Sequence, residues 1–68
     1  MWAPSVTVNE DKNEYCAIFD ERDAGYIGTV KVNAATMIAG AKSTIAFTTT
    51  NTDITYNSKS KKYLAVYD

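Results

Sequence analysis

Residues 53–68 read DITYNSKSKKYLAVYD, and residues 5–20 read SVTVNEDKNEYCAIFD. Aligned so that residue 53 lies opposite residue 5, the two stretches share Thr, Asn, Tyr, Ala and Asp, and other pairs are similar in kind. Each stretch holds two short runs of β-forming residues joined by a polar loop, which is the pattern of a β-hairpin. The sequence therefore predicts one small domain, residues 1–68, with similar terminal hairpins at residues 5–20 and 53–68.

A shorter pattern repeats at even spacing, since VTVN, VKVN and ITYN end at Asn9, Asn33 and Asn57. Four-residue patterns of this kind recur by chance in β-rich sequences, so this repeat is only suggestive. Duplication is one interpretation of both repeats. The other is common hairpin chemistry, in which a strand is followed by Asn and a polar turn.

Between the terminal hairpins, alternation with a period of two predicts further strands at residues 26–32 and 44–50. Ile45 and Phe47, in the second of these strands, are expected to face the core. Gly28 lies inside the first strand, where a glycine indicates a bulge or the close approach of a neighbouring group.

Residues 34–42 are the one segment with a helical pattern. Asn33 is a good N-cap and Gly40 can end a helix, with a long loop or a further strand as the alternative. We therefore predict a mainly β (β-rich α+β) fold of about six short antiparallel strands. These strands form a compact sheet or small barrel, with one short helix near residues 34–42.

A chain of 68 residues supports only a small core. Trp2 is expected to cap one end of it, because aromatic side chains bury a large area. Cys16 is the sole cysteine, so no internal disulfide can form, and the absence of His argues against a zinc site. Neither a metal nor a cofactor is predicted. Oligomerisation, or docking on a partner, is the remaining way to bury more apolar surface.

The predicted location is the cytoplasm, or the host cytoplasm if the chain is viral. No apolar run approaches the roughly 20 residues that a membrane-spanning helix needs. The first residues, MWAP, do not show the basic and apolar regions of a secretory signal. A free thiol also suits a reducing compartment.

No catalytic site is predicted, and the chain is not expected to be an enzyme. It lacks His, the usual general acid or base near neutral pH, and Cys16 is interpreted as a small buried hydrophobe. Residues 25–28 lack the flanking pattern of a phosphate-binding loop, and residues 20–25 lack the oxygen ligands of a calcium loop. Binding through the surface is therefore the predicted mode of action.

Charge is distributed unevenly along the chain. Residues 1–25 hold six acidic and two basic residues, whereas residues 26–68 hold five lysines and two aspartates. Asymmetry of this kind is informative about partners, and the first half predicts an acidic patch that binds a protein. The members of this patch are Glu10, Asp11, Glu14, Asp20, Glu21 and Asp23.

The leading hypothesis is a small non-enzymatic binding protein that acts through protein–protein contact. In size and in its lack of enzymatic residues, the chain resembles small phage-encoded inhibitors such as anti-CRISPR proteins, a comparison that no residue motif supports. The resemblance implies an inhibitor of a larger machine, such as one that handles nucleic acid.

Two other functions stay open. Basic and aromatic residues in the last hairpin are typical of modules that bind single-stranded nucleic acid, although the acidic half would repel phosphate. These residues are Tyr56, Lys59, Lys61, Lys62 and Tyr63. Alternatively, the two terminal loops of opposite charge pair between copies, which would make the chain a homo-oligomer or a self-assembling structural protein.

Overall fold

The computed structural model describes residues 2–48 and 50–67, without the side chains of residues 2 and 3. The described residues form six strands and no helix, so the prediction of a mainly β fold is confirmed. The strands are β1 (Trp2–Asn9), β2 (Glu14–Glu21), β3 (Tyr26–Asn33), β4 (Ser43–Ala46), β5 (Thr52–Asn57) and β6 (Lys62–Tyr67). Predictions about the Trp2 side chain, Thr49 and Asp68 lie outside these residues and side chains.

The strands make two antiparallel sheets. One sheet has four strands in the order β1-β2-β3-β4, and the other is the β5-β6 hairpin. The hairpin packs over the first sheet, with β5 against β1 and β2. The two sheets are not joined into a closed barrel, so the small-barrel alternative is wrong.

The terminal hairpins have the same register. Val8 pairs with Tyr15 and Val6 pairs with Ala17 in the first hairpin. At the equivalent positions of the last hairpin, Tyr56 pairs with Tyr63, and Ile54 pairs with Ala65. Because side chains alternate between the faces of a strand, equivalent residues of the two hairpins lie on equivalent faces.

The turn chemistry also repeats, and it does so at each of the three evenly spaced asparagines. The side-chain oxygen of Asn9 accepts a hydrogen bond from the Lys12 amide, that of Asn33 from the Thr36 amide, and that of Asn57 from the Ser60 amide. In each turn the next residue has a positive φ, at 52° for Asn13, 60° for Met37 and 59° for Lys61. The three VxVN-like patterns therefore end in three turns of the same kind.

The helix predicted near residues 34–42 is wrong, and this repeated turn is the reason. Asn33 caps a single turn, as an N-cap would, but Met37 then enters the left-handed region and reverses the chain. The Asn33 amide donates to the Ile38 carbonyl at 3.0 Å, which closes a hairpin. Met37 and Ile38 are exposed. A helix this short is stable only when its apolar side chains pack on the rest of the protein, and these two do not.

The core is small, and its main cluster lies between the two sheets, whereas the buried Phe19 packs on the other side of β2. Cys16, Ile18, Ile27 and Ile54 form its buried cluster, with Ala46, Tyr63 and Ala65 packed against it. Ala46 of β4 pairs with Ile27 of β3, and Thr44 pairs with Gly28. Ile45, between them, is therefore the extra residue of a β-bulge. The prediction that Ile45 and Phe47 face the core is therefore wrong, and Phe47 is 87% exposed.

Gly28 lies directly under the ring of Phe19, which is fully buried. A Cβ atom at residue 28 would lie 2.7 Å from the Phe19 Cζ atom and 3.0 Å from the Tyr26 Cε2 atom. The ring of Tyr26 meets that of Phe19 edge-on, with centroids 6.4 Å apart, so Phe19 has little freedom to move aside. The close approach that the sequence predicts at Gly28 is present.

We predict that Gly28→Ala destabilises the fold by about 1–3 kcal/mol, because the added methyl group overpacks the site under Phe19. Gly40→Ala is the matched control, since its Cβ would meet only the Lys31 carbonyl oxygen at 3.5 Å. Urea unfolding followed by circular dichroism measures both free energies. Equal stabilities for the two variants would show that Phe19 does not pack on Gly28.

Candidate interaction surfaces

The six acidic residues of the predicted patch lie in two groups at opposite ends of β2. Glu10 and Asp11, in the turn between β1 and β2, and Glu14, the first residue of β2, lie at one end. The other group, Asp20, Glu21 and Asp23, is at the turn between β2 and β3. An eight-residue strand spans roughly 25 Å, so the structure does not bring the six carboxylates together.

Asp20 is the one acidic residue of this set that lies inside the protein. Its side chain is fully buried, and one oxygen accepts from Nε and a terminal nitrogen of Arg22, at 3.2 and 2.8 Å. The other oxygen, Oδ1, has no hydrogen-bond partner in the described part of the chain. Because Asp20 is buried, it cannot form a surface patch with the other five acidic residues, which reach solvent.

The acidic turn at residues 10–14 contacts the last hairpin of the same molecule. Tyr56 donates a hydrogen bond to Asp11 Oδ2 at 2.5 Å, and Lys61 Nζ lies 3.0 Å from Asp11 Oδ1. Tyr63 donates to Glu14 Oε2 at 2.6 Å. The hydrogen bond from Tyr56, and then Lys61, lowers the pKa of the Asp11 carboxyl below its ordinary value of 3.8.

These contacts also engage most of the predicted nucleic-acid-binding hairpin. The rings of Tyr56 and Tyr63 pack against each other at 5.2 Å, and Lys31 lies 5.9 Å from the centre of the Tyr63 ring. Both hydroxyl groups and Lys61 are turned towards the acidic residues of the first hairpin. Lys59 and Lys62 are exposed beside them.

The hydroxyl groups of Tyr56 and Tyr63 both hold their protons more tightly than usual. The hydrogen bond to Asp11 raises the pKa of Tyr56 to about 12 from an ordinary 10.0. Burial, followed by the hydrogen bond to Glu14, raises the pKa of Tyr63 to about 12. A raised pKa of an acid means that the neutral group stabilises the fold below pH 10, and that this stabilisation is lost as the pH approaches 12.

We predict that the free energy of unfolding falls between pH 10 and pH 12, and that the double variant Tyr56→Phe/Tyr63→Phe shows a smaller fall. The variant has no hydroxyl protons to lose at these two positions. Tyr15→Phe is the control, since no hydrogen bond of its hydroxyl is seen among the described residues. Urea unfolding at several pH values measures the effect, and identical pH profiles would contradict it.

A cleft of about 290 Å³ lies where the acidic turn meets the last hairpin. Thr7, Val8, Glu10, Asp11, Tyr56 and Ser58 line it. Its volume is at the lower end of the range for small-molecule sites. Cys16 is away from this cleft in the core, where burial raises the pKa of its thiol and so keeps it protonated near neutral pH.

An extended apolar surface lies on the outer face of the four-stranded sheet, away from the β5-β6 hairpin. Two cross-strand rows, each with one residue from β1, β2 and β3, cover it. We call this surface the open face, and its residues are Val6, Ala17, Val30, Val8, Tyr15 and Val32. Val6 is 63% exposed, Val8 42% and Tyr15 37%, and Val8 also borders the cleft beside Tyr56.

The inner face of the same sheet is more polar than the open face. Its rows include Thr7 and Lys31 beside Cys16, and Asn9 and Asn33 beside Glu14. The β5-β6 hairpin covers this inner face, while the wholly apolar rows on the outer face stay in contact with solvent. Sequence reasoning missed the open face, although apolar residues on both sides of residues 15–19 were a signal for it.

No protein-family model matches the chain, and neither the curated proteins nor the solved structures yield a match. In the described part of the chain, no group of three or more His, Cys, Asp or Glu residues is placed to hold a metal ion. The same residues contain no helix with the length and apolar character to span a bilayer.

Proposed function

We propose that the protein is a non-enzymatic binding module that acts through protein–protein contact across the open face. The observation that carries this proposal is the pair of cross-strand rows, six apolar side chains without a charged group among them. The largest contiguous apolar patch on a protein often marks the site where it contacts another molecule.

The chemistry of the open face favours a protein over other partners. Tyr15 offers a large apolar ring and a hydroxyl group, the combination that is enriched in protein interfaces. The rows contain no cation to attract phosphate, so they do not suit nucleic acid. Two of the residues that could bind nucleic acid, Tyr56 and Lys61, contact Asp11 instead.

The numbers of exposed and buried hydrophobic side chains also favour a protein partner. Among the described residues, ten large hydrophobic side chains are exposed and only five hydrophobic residues are buried. Each square ångström of apolar surface that a partner covers contributes roughly 25 cal/mol. Three of the ten exposed side chains, those of Val6, Val8 and Tyr15, lie on the open face, where a partner can cover them. The narrower function, inhibition of a nucleic-acid-handling machine, stays a prediction.

We predict that Val6→Glu abolishes capture of the protein partner, because the carboxylate would be buried in the interface without a counter-charge. Leu64→Glu is the matched control, since Leu64 is 59% exposed, also lies on an edge strand, and is not part of the open face. The tagged wild-type protein and both variants are used as bait in extracts of the cells that make the chain. Quantitative mass spectrometry compares the captured proteins.

The pattern across the three baits decides the proposal. Loss of a specific protein with Val6→Glu, together with its retention with Leu64→Glu, supports binding through the open face. Equal capture by all three baits would show that the open face is not the binding surface. Circular dichroism confirms that each bait is folded, which Val6 permits because its side chain is largely in solvent.

A further inference from the structure

We infer that the protein covering the open face is a second copy of this chain, so that two four-stranded sheets pack face to face in a twofold dimer. The inference rests on the proposed function, because it names the partner of the same surface. Four properties of the structure carry it: the repeat, the size and charge of the face, the shape of its centre, and the small core.

The repeat shows what the open face is suited to contact. The equivalents of Val6, Val8, Tyr15 and Ala17 in the last hairpin are Ile54, Tyr56, Tyr63 and Ala65, in the same register. In the last hairpin those residues form the side that packs on the four-stranded sheet. In the last hairpin this face packs against a β-sheet. Because the first hairpin has equivalent side chains on the equivalent face, that face is also suited to pack against a β-sheet. No second sheet of the described chain is available to the first hairpin.

The extent of the face agrees with a sheet-on-sheet contact. Its six side chains occupy roughly 200 Å² in projection, because two residues along a strand span about 7 Å and neighbouring strands lie about 4.8 Å apart. The side chains stand above the sheet, with Val6 63%, Val8 42% and Tyr15 37% exposed, so two faces together bury roughly 800 Å², close to the lower limit for a stable interface. Homodimer interfaces are also the most apolar class, which suits rows without any charged side chain.

The centre of the face is self-complementary about a twofold axis. Tyr15 and Ala17 are neighbours on β2, the middle of the three strands that bear the rows. In a twofold interface, if residue i contacts residue j, then j contacts i. An axis that passes between these two residues sets the large ring of Tyr15 over the small Ala17 of the other copy. Large side chains opposite small ones are the arrangement that lets two layers interdigitate.

The small core favours a permanent partner over an exchangeable one. A partner that comes and goes requires a chain that is stable by itself. This chain has 68 residues, and its buried cluster contains Cys16, Ile18, Ile27 and Ile54. A domain of this size is marginal without further burial, and Cys16 alone cannot form an internal disulfide. A second copy is always present when the chain is, so it can supply that burial constitutively.

The dimer is tested on the full chain by sedimentation equilibrium from about 1 to 200 µM, with thermal unfolding over the same range. We expect a mass of twice 7.5 kDa at the upper concentrations and a midpoint that rises with concentration. Ala17→Glu puts a charge at the centre of the interface and raises the dissociation constant by roughly 100-fold or more. Leu64→Glu leaves it unchanged.

A second measurement keeps the test decisive if Ala17→Glu does not fold. Wild-type protein labelled with ¹³C is mixed with unlabelled protein, and filtered nuclear Overhauser effects select contacts between copies. Contacts between the Tyr15 ring and the Ala17 methyl group support the dimer described here. A dimer whose contacts involve Leu64 instead would overturn it.

A wild-type chain that stays monomeric at the highest of these concentrations also overturns the inference. The proposed function is then judged separately by the capture experiment. A monomer that binds another protein in a Val6-dependent manner retains the proposed function without the dimer. A monomer that captures nothing through the open face contradicts both.

Discussion

The packing of Ile54 onto Ile18 and Ile27 is the contact on which the arrangement of the two sheets depends. It brings the last hairpin onto the inner face of the four-stranded sheet, and this placement determines which other residues of the two hairpins meet. Tyr56 and Tyr63 then reach the acidic turn of the first hairpin. The open face stays in contact with solvent, whereas Phe19, further along β2 on the same side of the sheet, is fully buried.

The opposite charges of the two terminal loops have a role inside one molecule. Because the hairpins share a register, their turns come to the same end of the structure, and Asp11 of the acidic turn meets Lys61 of the basic one. Such an exposed pair contributes little by itself. The hydrogen bonds from two tyrosines add to it and fix the docking direction of the last hairpin. Charge in this chain thus helps to orient the last hairpin on the four-stranded sheet.

Local patterns in the sequence predicted the hairpins and the close approach at Gly28, because alternation and turn residues act over a few neighbours. The same patterns failed at residues 34–42. The hydrogen bonds that the Asn33 side chain accepts from the next amides would suit the start of a helix as well as a hairpin turn. The outcome there depends on Met37, whose positive φ no propensity rule anticipates. Exposure of the open face was also beyond prediction, since β2 is apolar on both sides and only tertiary packing decides which side is covered.

The similarity of the two terminal hairpins, one face packed and the equivalent face exposed, is the main structural support for the proposed function. A hairpin face that is merely tolerated in solvent would be expected to acquire polar residues where its counterpart is buried. Val6 and Val8 remain apolar at the positions of Ile54 and Tyr56, and Tyr15 and Ala17 are identical in type to Tyr63 and Ala65. The exposed hairpin therefore has the composition of a packed one. This match supports the proposal that the open face is a binding surface.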